Sequence, residues 1–461
     1  MRRHLLKNAT IVTGSTCSPG HIAIEGERIR EIHYGPVPTG WKGGTDLRGK
    51  ILMAGGIDAH VHFREPGMTW KADMASESAA ALLGGITSFV DMPNTIPQTV
   101  NLTALEEKLK RAEKTSLANY GFHLGATNDN VAQIRRYIDL GLGGRFAGIK
   151  VFMGSSTGNM LVDSDNALED IFRIKGKTIL VHSEDEGIVR QNLEAAESIH
   201  GDSIPFRMHP VIRSREACME STRKALSLAV KHGTSLHILH VSTAEEVEMI
   251  RAAKRTNPKI SAETSANYLW FCDEDYDRMG GRLKCNPSIK ARTDREALIK
   301  GLADGTIDTI GSDHAPHLLE EKGKPYLKCP SGLPTIQHSL AVVFNIARAN
   351  GIPLQRIASA FSERPAWIFG IRDRGFIKEG CYADLVAIDP DKEYVVGPSV
   401  SKCGWSPFEG CRLKGSVDMV WINGSLAVSG GKLCTDHLSL IKRKEMRFLS
   451  RSTPSTPTVT F

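Results

Sequence analysis

Two textures of apolar and polar residues divide the chain. Over the first ~50 residues the two kinds alternate with a period near two, broken by turns such as Glu25-Gly26-Glu27. Segments 5–13 and 21–32 therefore predict short antiparallel strands. The alternation returns after about Phe376, in 383–388 and 417–422, and the latter runs into Asn423-Gly424, a favoured pair for a tight hairpin turn.

The middle of the chain reads differently. Apolar strand-like runs at 56–62, 86–92, 119–125, 146–152, 178–182, 235–240, 259–263 and 307–313 are separated by stretches with helical periodicity, among them 103–114, 214–231 and 243–256. The last is opened by Ser242 and Thr243, followed by Glu245 and Glu246, a capping pattern. Eight strands alternating with helices predict an α/β fold in which a closed (β/α)8 TIM barrel forms the centre. The expected organisation is a barrel over 54–374 and a small β-sandwich domain assembled from 1–53 and 375–440. A tail over 441–461 follows, its Ser-, Thr- and Pro-rich part from about Ser452 expected to be disordered.

Composition narrows the function. The 461 residues suffice for one large domain and a smaller one. Lys and Arg number 58 against 52 Asp and Glu, a net charge of +6, without the concentrated basic stripe that nucleic-acid binding needs. The one basic cluster, 442–444, reads as a solvated tail. Nine scattered cysteines with no CxxC pair argue against a disulfide framework and a structural zinc finger, and favour a reduced, cytoplasmic setting. No apolar run approaches the ~18 residues of a membrane span, and the first residues lack the apolar core of a signal peptide.

The chemistry gathers where the predicted strands end, which in such a barrel is the catalytic face. The first strand ends in Asp58-Ala59-His60-Val61-His62, and residues two apart on a strand face the same way, which suits two imidazoles on one metal ion. Lys150 lies inside the fourth strand, where an uncompensated charge is costly. His182, His240 and Asp313 end the fifth, sixth and eighth strands. Each has an ordinary explanation: a hydrogen-bonded core histidine, a lysine reaching a carboxylate, an aspartate capping a turn, His314 and His317 on the surface. Convergence of all of them on one barrel mouth favours a metal site. A lysine ammonium cannot ligate a cation, but its carbamate, formed with carbon dioxide, has two anionic oxygens that could bridge two.

These residues match a family. His60 to Gly67, Asp91-Met92-Pro93-Asn94-Thr95, Gly148-Ile149-Lys150 and Ser312-Asp313-His314-Ala315-Pro316-His317 resemble the dihydroorotases of the amidohydrolase superfamily, over nearly the whole chain. The resemblance implies two zinc ions per subunit, one held by His60, His62 and Asp313, the other by His182 and His240, with carboxylated Lys150 bridging them. Many bacterial relatives have aspartate at the bridging position; Lys150 is similar to the dihydroorotases with a carboxylated lysine and to the hydantoinases. Arg64, Asn94 and His317 would grip a substrate carboxylate, with His62 and Asn286 also touching substrate and Asp313 acting as catalytic base and acid. A guanidinium suits that task because it makes paired, charge-assisted hydrogen bonds to a carboxylate; the bland alternative is a salt bridge from Arg64 to Glu65 or Asp73, and for Asn286 a turn-forming Asn-Pro. The implied reaction is the reversible cyclisation of N-carbamoyl-L-aspartate to L-dihydroorotate in pyrimidine biosynthesis. The competing classes are a dihydropyrimidinase, hydantoinase or allantoinase, and a non-catalytic scaffold paralogue. The resemblance further implies a loop over 328–332 closing on substrate and a homodimer, and leaves open an association with aspartate carbamoyltransferase.

Overall fold

Strands from both ends of the chain form one nine-stranded sheet, which is how two sequence-distant β-rich segments become a single small domain. The computed structural model describes residues 3–154, 160–434 and 443–449. From the N-terminal side come β1 (Arg3–Val12), β2 (Cys17–Glu25), β3 (Arg28–Tyr34), β4 (Thr45–Asp46) and β5 (Ile51–Ala54). The expected strand over 21–32 is a hairpin: β2 and β3 pair antiparallel, and Gly26 turns between them with φ 61°. β5 pairs with β1 on one side and with β15 (Leu385–Val395) on the other, joining the two ends of the chain. β16 (Arg412–Ile422), β17 (Ser425–Ser429) and β18 (Lys432–Leu433) complete the sheet. Asn423 and Gly424, at φ 48° and 76°, make the β16–β17 turn, the left-handed pair that matches strand twist.

The barrel strands are β6 (Gly56–Val61), β7 (Ile86–Asp91), β8 and β9 (Asn119–Phe122, Leu124–Gly125), β10 (Gly148–Phe152), β11 (Thr178–His182), β12 (Leu236–Ile238), β13 (Ile260–Thr264) and β14 (Thr309–Ile310). All pair parallel. β8 and β9 are one predicted strand interrupted at His123, and a bridge between Val61 and His314 closes the circle. Their near-continuous burial fits a parallel sheet covered by helices. The helices predicted at 103–114, 214–231 and 243–256 are Leu102–Thr115, Arg215–His232 and Ala244–Thr256, the last opened by a reciprocal Thr243–Glu246 capping box. Two strands stop short of their predicted ends. β12 and β14 break before His240 and Asp313, whose φ of 37° and 46° leaves the extended region. Leu239 and Val241 carry the apolar pattern past His240, so periodicity does not reveal that break, whereas the polar run Ser312-Asp313-His314 already interrupts it at the other.

The basic cluster at 442–444 is a correction to the solvated-tail expectation as far as it is described. Lys444 ion-pairs with Glu27, sits 4.8 Å from the Tyr382 ring centroid, and its backbone N–H donates to Asn119. Beyond it Met446 and Phe448 are buried against the N-terminal end of the barrel, beside Ala147 and Leu180. The part of the tail from Ser452 lies outside the described residues. Removing a buried aromatic ring typically costs about 3–5 kcal/mol. Phe448→Ala should therefore lower the unfolding free energy by about 3 kcal/mol while leaving turnover by the folded fraction unchanged; a denaturation midpoint equal to that of the parent protein would show that the segment is not part of the core.

Candidate metal and substrate site

β6 delivers two imidazoles to the mouth. His60 and His62 are buried, and each Nε2 faces Asp313 Oδ1, at 3.2 and 3.3 Å. The ligand atoms of the three residues lie within 4.8 Å of one another, a spacing that one cation can span. The opposite ring nitrogens are fixed: His60 Nδ1 lies 2.6 Å from Glu263 Oε1 on β13, and His62 Nδ1 lies 2.8 Å from Asn94 Oδ1. Such partners set the tautomer and leave the inward nitrogen as a lone pair. Burial drives both histidines below the ordinary imidazole range, His60 well below it. Burial alone would raise the Asp313 carboxyl; it is nevertheless lowered, because His60, His62 and Lys150 favour its anion to the extent that each carries a proton toward it.

The backbone here is tied across the barrel seam. Asp58 Oδ1 accepts from the N–H groups of His60 and Ser312, at 3.1 and 3.2 Å. His314 is not a surface residue. Its Nε2–H donates to Glu77 at 2.6 Å while Nδ1 accepts from the Thr335 and Ile336 backbones. These bonds hold Asp313 in its left-handed conformation, a strained position that persists where neighbours over-determine it.

Across the mouth, His182 Nδ1 and His240 Nε2 face each other at 2.9 Å. His182 is backed by Glu184, 3.0 Å from its Nε2, and Glu184 ion-pairs with Arg213. Burial lowers His182 and pushes His240 well below the usual range, so both are neutral. His240 Nδ1 is buried with no hydrogen-bond partner among the described residues. Lys150 lies between the two halves, on β10. Its Nζ has no hydrogen bond or ion pair among the described residues and sits 4.5 Å from the Phe152 ring centroid. Burial lowers it to about 7, against the opposing pull of Asp313 and Glu263. An amine with that pKa is substantially neutral near pH 7.

The remaining predicted residues line the same cavity: Arg64, Asn94 and Asn286 directly, with His317 just behind. Arg64 is 2 % exposed, at φ 64°, and points away from the carboxylates considered for it. Glu65 accepts from the Met74 N–H and Asp73 pairs with Lys402. Arg64 instead donates Nε–H to Pro316 O at 3.2 Å and sets Nη2 3.0 Å from His317 Nε2; no carboxylate lies within ion-pair distance of it among the described residues. Burial lowers it only to about 10, so it remains a cation. Asn286 Oδ1 is likewise buried without a hydrogen-bond partner. Of the loop at 328–332, Ser331 and Gly332 border the cavity. It is held from beneath by two buried lysines, Lys322 bonding Pro330 O and Gly332 O and Lys284 bonding Tyr326 O and Cys329 O.

The amidohydrolase family model matches residues 51–427. The chain belongs to the amidohydrolase family. Among similar family members, the dihydroorotase of Methanosarcina acetivorans is 34 % identical over 88 % of each chain, and that of Clostridioides difficile is 31 % identical over 83 % of this chain and 88 % of its own. Solved amidohydrolase structures align closely as well. The L-hydantoinase (dihydropyrimidinase) of Arthrobacter aurescens superposes with a TM-score of 0.88 at 27 % identity, covering 94 % of this chain and 97 % of its own. The dihydropyrimidinase of Brevibacillus agri gives 0.89 at 25 %, covering 98 % and 100 %.

Sequence reading missed Glu263, Glu184 and Lys71. Glu263 was detectable in principle, since it ends the seventh strand as the histidines end theirs. Glu184 follows His182 by two residues, but nothing local marks its pairing with distant Arg213. Because Glu263 fixes the donor nitrogen of His60, Glu263→Gln should weaken retention of a divalent cation by roughly 10–100-fold. Competition against a chromophoric chelator measures this, and parent-like affinity would remove Glu263 from the site.

Proposed function

We propose that this amidohydrolase is a dihydroorotase, interconverting N-carbamoyl-L-aspartate and L-dihydroorotate in pyrimidine biosynthesis. The observation on which the reading rests is Arg64: a buried guanidinium that borders the cavity without a carboxylate partner. Leaving such a charge unpaired is costly, and an anionic substrate is the natural compensation. Dihydroorotate and carbamoyl aspartate bear that carboxylate, whereas dihydrouracil and hydantoin do not. The sequence relatives from Methanosarcina acetivorans and Clostridioides difficile, both named dihydroorotase, agree with this choice.

The donor set fits two zinc ions. His60, His62 and Asp313 would hold one and His182 and His240 the other, using lone pairs that burial keeps free of protons. Lys150, neutral in part and without a competing partner, would add to carbon dioxide with loss of a proton, giving an anionic bridge between the two sites. Bound cations of this kind lower the pKa of water and polarise an amide carbonyl.

The chain's own residues supply the rest. Arg64, Asn94 and His317 hold the substrate carboxylate, and Asn286 with its open Oδ1 meets the ring. Asp313, ionised, takes the proton of the attacking water and returns it to the ring nitrogen as the amide bond opens. Cyclisation reverses these transfers and releases water. Fixing the carboxylate about the Arg64 corner orients the reacting amide, which converts binding into rate.

A hydantoinase or dihydropyrimidinase reading is favoured by the solved relatives. Steady-state turnover of zinc-supplemented protein on dihydroorotate, dihydrouracil, hydantoin and allantoin separates the two. The expected result is preference for dihydroorotate, with kcat/KM falling about 10²–10³-fold in Arg64→Ala, the loss typical of one partner of a buried charge pair. Preference for an uncharged ring, indifferent to Arg64, would assign the hydantoinase chemistry instead. No turnover together with no bound metal would assign a scaffold role.

A further inference from the structure

Three polar contacts converge on the His317 ring, and they cannot all be hydrogen bonds at once. Nδ1 lies 3.0 Å from Lys71 Nζ; Nε2 lies 3.0 Å from Arg64 Nη2 and 3.1 Å from Ser331 O. The ring is 1 % exposed, and burial, with Arg64, Lys322 and Lys71 nearby, keeps it neutral. A neutral imidazole has one N–H and one lone pair. With the proton on Nδ1, the ring N–H would face the Lys71 ammonium at 3.0 Å with only the Glu321 carboxylate, at 3.9 Å, to draw it, and the bare Nε2 would face a carbonyl oxygen, leaving the Arg64 contact as the one hydrogen bond. With the proton on Nε2, Nδ1 accepts from Lys71 and Nε2–H donates to Ser331 O, so two of the three are satisfied.

The second arrangement has a consequence for the cavity. Arg64 Nη2 and His317 Nε2–H then lie side by side, and an incoming carboxylate that pairs with Arg64 would take over or share the Nε2–H that Ser331 O otherwise accepts. We propose that Lys71 is a positioning residue for the carboxylate subsite: its ammonium donates to His317 Nδ1, fixes the Nε2–H tautomer and thereby makes His317 a second donor beside Arg64. This rests on the dihydroorotase reading, because only an anionic substrate uses that pair of donors.

The surroundings hold the arrangement in place. Lys71 Nζ is 2.8 Å from Glu321 Oε1, and Glu321 Oε2 accepts from the Leu318 N–H, so the turn that follows His317 anchors the ammonium behind it. Trp405 Nε1–H donates to His317 O at 2.8 Å, and Arg64 Nε–H to Pro316 O, so the backbone that carries the ring is pinned beside Arg64. Arg64 and Ser331 border the cavity, His317 stands directly behind them, and Lys71 lies behind His317, through which it acts.

The test is nuclear magnetic resonance of full-length, zinc-loaded protein labelled with ¹⁵N in its histidine rings, the His317 signals being assigned by their loss in His317→Gln. The parent protein should show a protonated Nε2 and a bare Nδ1. Lys71→Met should shift that balance toward Nδ1–H, and Lys71→Gln, which keeps a donor but drops the charge, should restore it. In parallel, Lys71→Met should raise KM for dihydroorotate about tenfold with kcat within about twofold, the worth of one charge-assisted hydrogen bond. Lys71→Gln should recover most of that loss, and turnover of dihydrouracil should not respond to either change. An Nδ1–H tautomer in the parent protein, or unchanged KM and tautomer in Lys71→Met, would overturn the proposal, as would Lys71→Gln behaving like Lys71→Met. Active parent protein with those results rejects the role of Lys71 alone; an Nε2–H tautomer in a parent protein that ignores dihydroorotate rejects the dihydroorotase reading alone.

Discussion

Withdrawal of ionisable groups from water at the barrel mouth is the constraint on which the site depends. Closing eight parallel strands brings His60, His62, Lys150, His182, His240 and Asp313 into one small volume, all but Asp313 at most 8 % exposed. Low polarity there penalises charge. The imidazoles respond by staying neutral, and Lys150 falls to about 7. Arg64 cannot respond in this way, because a guanidinium remains protonated even at a pKa of about 10. The same physical environment therefore prepares neutral donors on one side of the cavity and a fixed cation on the other.

That division explains why overall likeness and chemistry point to different relatives. The backbone superposes on a hydantoinase and a dihydropyrimidinase at TM-scores near 0.9, as a shared barrel must. Nothing in barrel closure distinguishes a charged substrate from a neutral one. On the proposed reading, the distinction lies in one loop after β6, where Arg64 adopts φ 64° and turns toward Pro316 and His317 rather than toward Glu65 or Asp73. Fold is common property, and specificity sits in a few side chains added to it.

Much of this was legible in the sequence, for a definite reason. Parallel strands buried on both faces read as apolar runs, and polar residues that interrupt their C-terminal ends stand out against that background. His60, His62, Lys150, His182, His240 and Asp313 were all visible in this way. The small domain was legible through its period-two alternation and the Asn423-Gly424 turn. What was hidden depends on contacts between distant segments. The backbone break at His240 leaves no trace in apolar periodicity, since Leu239 and Val241 on either side are apolar and buried. The seam from Glu77 to His314 joins residues 237 positions apart, and the packing of Phe448 against the barrel floor depends on a return of the chain that no local pattern announces.

Local strain and distant support belong together in this architecture. Arg64, His240 and Asp313 all have positive φ, a conformation costing of order 1–3 kcal/mol for a non-glycine residue. Around Arg64 and Asp313, several hydrogen bonds arrive from other elements: Asp58 to Ser312, Glu77 to His314, Arg64 to Pro316, Trp405 to His317. Glu77 is in turn bonded by the Lys402 backbone at 3.0 Å, so the segment that returns toward the small sheet also braces the mouth. The connection between β15 and β16 is thus more than a lid on a self-sufficient barrel. It closes the hydrogen-bond framework that holds the Asp313–His317 turn, and because β15 pairs with β5 that connection is anchored in the sheet that both ends of the chain build.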